Sequence, residues 1–159
     1  MVKQVAAELR LMITTYSTAF TALKEEDFAA KPTSEKWSKK EIVGHLIDSA
    51  QNNLRRFIVG QYEVNPPHIV YDQDFWVKAN NYQNMTSMDV IVMWMLVNFR
   101  ISEILETMPE ENYSKECNTG KGAPQLYTLE WLAEDYIKHM KHHINQIIPG
   151  SFGVPYQTY

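Results

Sequence analysis

A chain of 159 residues with 45% apolar and 21% charged residues has the length and apolar content to close one hydrophobic core, and too little length for two. Its net charge of −4, with no basic run longer than two or three residues, leaves no electrostatic footprint for nucleic acid. No stretch nears the roughly 18 unbroken apolar residues of a membrane span, which excludes a helical membrane protein.

The N-terminal MVKQVAAELR is amphipathic and charged, unlike a secretory signal, and the single Cys117 has no partner for an internal disulfide; both suit a cytoplasmic location. Over residues 2 to 24, Val5, Leu9, Met12, Ile13, Tyr16, Phe20 and Leu23 recur at spacings of three and four, which predicts a first helix with one apolar stripe. Ser38 followed by Glu41 is a capping box, so a second helix starts at Lys39 and runs to Gly60 as its stop. Residues 61 to 85 form a long connection in which DQDFWVKAN predicts a short extra helix. Thr86 caps a third helix whose apolar positions run from Val90 to Leu105 and end before Pro109. After a second long connection, 109 to 127, Thr128 caps a fourth helix from Leu129 to about Ile148, closed by Pro149 and Gly150. Strand-like alternation is nearly absent. Four helices of about 20 residues, each ~30 Å long, predict an all-α four-helix bundle with long connecting loops, as a single domain over 1–159. The third helix, with VIVMWMLVNF, is apolar on more than one face, which predicts burial on two sides and a homodimer.

Three of the five histidines fall in YIKHMKHHINQI. At about 100° per residue, His139 and His143 lie within about 40° of each other on one face, one turn apart. His142 is turned away from the apolar stripe, toward solvent. His45 sits early in the second helix and the other two late in the fourth, so antiparallel packing brings the three imidazoles to one height. Three neutral imidazoles with room for water or substrate are the donor set of a catalytic first-row metal site, zinc above all, with nickel or iron accommodated. His68, in NPPHIV, has no such partner and reads as a loop residue. The plainer alternative is that H-x-x-x-H on a helix is an ordinary surface or core pair.

WSKKEIVGHLIDSAQNN (37–53), DQDFW (72–76) and TLEWLAEDYIKHMKHHINQI (128–147) together resemble the DinB/YfiT-like superfamily of four-helix metalloenzymes, over nearly the whole chain. The resemblance implies one divalent metal ion, zinc, nickel or iron, held by His45, His139 and His143. It also implies an enzyme acting on a small molecule, of either the thiol-dependent transferase or isomerase type or the hydrolase type. In the first, a low-molecular-weight thiol is the co-substrate; in both, a Lewis acid generates the nucleophile near neutral pH. The rival reading is a non-catalytic bundle that binds metal or ligand. Asp48 and Asp135, three residues after His45 and four before His139, could accept the second ring N–H of a ligand, as outer carboxylates do, or stand as surface acids. Arg55 or Arg56 could pair with a substrate carboxylate or simply be solvated. Trp37 and Trp76 read as core or loop anchors. With no H-E-x-x-H pattern, no catalytic base is identified.

Overall fold

The structure is a computed structural model that describes residues 1–153. The apolar stripe of the first segment winds into α1 (Val2–Thr21), burying Val5, Leu9, Met12, Ile13 and Phe20. One turn, α2 (Glu25–Ala29), buries Phe28 and precedes the 24-residue α3 (Lys39–Tyr62). Then come α4 (Gln73–Asn80), α5 (Ser87–Thr107) and α6 (Leu129–Ile147). α5 packs against α1 and α3, and α6 against α3 and α1, so the four long helices enclose one core. Trp94 of α5 is fully buried at its middle, its ring 5.2 Å from Phe20 of α1. None of the described helices is long and apolar enough to cross a membrane.

The cap chemistry explains where these helices begin. Ser38 Oγ accepts from the Glu41 amide at 3.1 Å while the Glu41 carboxylate accepts from the Ser38 amide at 2.8 Å, satisfying two otherwise orphaned donors. Thr86 and Thr128 accept from the amides of Asp89 and Trp131. Asp72 caps α4 through Phe75 N, and Asn81 ends it at φ 54°, a left-handed conformation that asparagine tolerates.

Gly60 is not the stop expected of it, since α3 continues to Tyr62. Its role is close approach: a Cβ there would lie 2.7 Å from Leu129 Cδ2 and 3.0 Å from Cys117 Sγ. The end of α3 thus meets the start of α6, and the two helices run antiparallel. A small hairpin also departs from the all-helical expectation. β1 (Glu116–Asn118) pairs antiparallel with β2 (Leu126–Thr128), Cys117 opposite Tyr127. Three-residue strands are too short for alternation to register in sequence. His68 bridges in parallel to Asn118, with Ile69 N donating to Asn118 O at 3.0 Å, so the two long connections are stitched together beside the antiparallel junction. α5 leaves Val92, Met93, Leu96 and Phe99 more than a third exposed.

Candidate metal centre

His45 lies two turns into α3 and is 1% exposed, with the Trp37 ring 5.0 Å away and tilted by 33°. His139 and His143 lie one turn apart on α6 and are half-buried. Antiparallel packing sets their rings together. Nε2 of His139 is 3.2 Å from Nε2 of His45 and 3.1 Å from Nε2 of His143, and one ligand nitrogen from each ring falls within 4.8 Å of the others. A neutral imidazole nitrogen offers either one N–H or one lone pair, so His139 Nε2 cannot satisfy both neighbours as ordinary hydrogen bonds. A cation can accept all three lone pairs. Nitrogens held tetrahedrally at about 2.0–2.1 Å from one ion stand roughly 3.3 Å apart, close to the spacings observed. The donor set therefore fits a first-row divalent ion.

Protonation states agree with this fit. Burial, aided by the neighbouring imidazole of His143, pushes His45 down to about 3. Burial pushes His143 down to about 4 against an opposing hydrogen bond from Gln146, and His139 falls well below the ordinary imidazole range for the same first cause. All three are neutral at pH 7, the form that coordinates metal.

Gln146 was not among the residues singled out by sequence. Its Oε1 accepts from Nδ1 of His143 at 2.8 Å, leaving the Nε2 lone pair of that ring aimed at the other two. Its amide nitrogen donates to Nε2 of His142 at 3.1 Å. His142, expected to face solvent, is half-buried and braces Gln146. The H-x-x-Q spacing at i, i+3 was the available signal.

Asp48 does not reach the His45 ring. Its Oδ1 accepts from Tyr82 OH at 2.6 Å and from Asn80 Nδ2 at 2.8 Å, turning the carboxyl across to the end of α4. Its Oδ2, like Nδ1 of His45, makes no hydrogen bond among the described residues. Burial lifts this carboxyl to about 6, with the bonds from Tyr82 and Asn80 opposing. Between the ordinary value of 3.8 and about 6 the folded chain holds a proton that the unfolded chain has released, so stability falls as pH rises through this window. Asp48→Asn keeps an acceptor for both donors and removes the buried charge. Its melting temperature, measured on metal-free protein, is expected above the parent's at pH 8, with the gap closing below about pH 4. A gap of equal size at both pH values would contradict this account.

Arg55 is exposed and lines neither cavity near the histidines, because one helical step turns it off the inward face. Arg56 is half-buried, its Nε and Nη2 donating to Ile69 O at 3.2 and 2.8 Å and its Nη1 to Asn53 Oδ1 at 3.2 Å. Arg56 and Asp135 both line a chamber of about 120 Å³ between α3 and α6 whose lining includes His139. The same two residues, with Leu132, also line an outer cleft of about 560 Å³ bounded by the hairpin turn. Trp131, stacked on Tyr127 with centroids 3.9 Å apart, forms part of that cleft. His68 lies away from the centre, its Nε2 2.7 Å from Gly120 O. Cys117, on β1, is buried, and burial pushes its thiol up to about 11, so it stays protonated. Trp76 is half-buried, its ring 5.6 Å from that of Tyr71 within the same connection.

The family model described as the DinB superfamily matches residues 8–147, which include all three histidines. The chain belongs to the DinB superfamily. A relative in Bacillus subtilis, named "Putative metal-dependent hydrolase YfiT", is 24% identical over 111 residues. That match covers 70% of this DinB-superfamily chain and 62% of the relative, so the chain spans under two thirds of the relative's length. The solved structure of YfiT, described as "a probable metal-dependent hydrolase with an unusual four-helix bundle topology", aligns with a TM-score of 0.76. The alignment covers 92% of this chain and 81% of that one at 21% identity, which shows the shared four-helix fold.

Proposed function

We propose that this DinB-superfamily protein is a metal-dependent enzyme that activates water or a low-molecular-weight thiol for attack on a small-molecule electrophile. The observation that carries the reading is the convergence of three neutral imidazole nitrogens on one point beside a chamber large enough for a small ligand. A bound divalent ion, zinc, nickel or iron, would supply Lewis-acid activation of the occupant near neutral pH. The chain's own residues do the rest. His45, seated against Trp37 in the core, fixes one donor rigidly, and Gln146 fixes the tautomer and tilt of His143. Asp135, one turn before His139 on the chamber wall, is the carboxylate nearest in sequence to a ligand on that side. The relative's description as a metal-dependent hydrolase supports water as one occupant.

The test is activity of protein loaded with zinc, nickel or iron(II), assayed against activated esters and amides without thiol and against alkylating electrophiles with a small thiol. Metal-dependent release of a hydrolysis product supports the hydrolase branch, and metal-dependent conjugation supports transfer. A loaded protein that accelerates neither reaction above the free metal ion would leave a non-catalytic binding module in place of the enzyme.

A further inference from the structure

The chamber lined in part by His139 has a property the metal reading does not use. Its lining holds both the His139 imidazole and a guanidinium fixed by its own hydrogen bonds. Arg56 donates three of its N–H groups to Ile69 O and Asn53 Oδ1, which fixes the plane of the fork while the side chain still lines both the inner chamber and the outer cleft. A preorganised guanidinium loses little side-chain entropy on meeting a carboxylate, and its charge-assisted bonds are among the stronger ones available. Ser49 and Asn53 add polar groups to the same chamber.

We propose that this chamber binds the carboxylate of a small monoanion at Arg56, delivering the rest of the molecule to the His139 ring. The charge on the walls selects the class. The chamber itself carries one charge of each sign, Arg56 and Asp135, and Lys121 on the outer cleft brings the combined walls to one net positive charge, which suits a single carboxylate better than a dianion. The volume limits the size: about 120 Å³ suits a short-chain acid, and anything longer must project into the outer cleft past Leu132. The inference rests on the metal-centre reading only for what happens at the far end of the ligand.

Two titrations separate the two ideas. In metal-free protein, propionate is expected to shift the ¹⁵N resonance of the Arg56 Nε–H, while 1-propanol leaves it in place. In cobalt(II)-loaded protein, thiolate-to-cobalt absorption should appear at concentrations of 3-mercaptopropionate about tenfold or more below those of 2-mercaptoethanol, which has the same thiol and no carboxylate. Arg56→Gln should bring the two thiols within about twofold, and Arg56→Lys, which keeps the charge without the fork, should fall between. Because Arg56 also tethers Ile69, each variant's melting temperature is compared with the parent's, and the ratio between the two thiols cancels a general loosening. Equal shifts with propionate and propanol, or a thiol preference that survives Arg56→Gln, would overturn the anion site. Failure of cobalt to bind would overturn the metal reading and leave the propionate result to decide this one.

Discussion

Alanine at His139 is expected to lower the affinity for zinc or cobalt(II) by more than about 100-fold, because His139 is the ring whose Nε2 faces both others. The measurement is a competitive titration against a chromophoric chelator. Gln146→Ala should cost less, about 10–100-fold, since it frees the His143 ring to turn without removing a donor. The ordering of the two variants carries the information: a ligand must outrank its brace. The parent should also gain thermal stability with metal, about 4 kcal/mol at a free concentration a thousand times Kd, and His139→Ala should lose that gain. If His139→Ala takes up one equivalent with the parent's affinity, His139 is no ligand.

The second large effect lies at a position without chemistry of its own. A Cβ on Gly44 would sit 2.1 Å from Cδ2 and 2.4 Å from Cγ of Tyr82, a ring that is 1% exposed and tied by its hydroxyl to Asp48. In an unconstrained helix Gly→Ala stabilises by about 0.5–1 kcal/mol. Here the sign should reverse. Overpacking against an immobile ring is expected to cost about 3 kcal/mol or more, a fall in melting temperature of roughly 6–12 °C. Because Gly44 precedes His45, the displaced α3 should also weaken metal binding. Tyr82→Ala in the Gly44→Ala background should recover part of the loss relative to Gly44→Ala alone; an unchanged melting temperature in the single variant would refute the close packing.

These two positions show where sequence was informative and where it was not. The long helices were legible because a 3.6-residue apolar period and Ser or Thr caps are local chemistry, complete within a dozen residues. DQDFWVKAN was legible for the same reason, with Asp72 as its cap. By contrast α2 and the 116–118 hairpin strand span fewer than two full periods, too short for a repeat to register. The need for glycine at 44 depends on a tyrosine 38 positions later, and the partners of Asp48 lie 32 and 34 positions away. His45 and His139 are 94 positions apart, so their meeting rested on an assumed antiparallel packing, and the resemblance to a known family implied the same three residues independently. Gln146, three residues from His143, is a local partner, but an amide at this spacing is a weaker signal of a ligand brace than a carboxylate.

α3 runs without a break from Lys39 to Tyr62 and carries His45 and Arg56 on nearly the same azimuth, eleven positions apart. At about 1.5 Å per residue their backbones are separated by roughly 16 Å along a rigid rod. The helix therefore acts as a gauge between the imidazole cluster and the guanidinium, one that bending of the loops cannot reset. Reach along this gauge is graduated in helical turns: shifting the cation to position 52 or 53 would shorten it by about one turn, or ~5 Å. Changes in the hairpin that borders the outer cleft would alter the mouth and leave the graduation untouched.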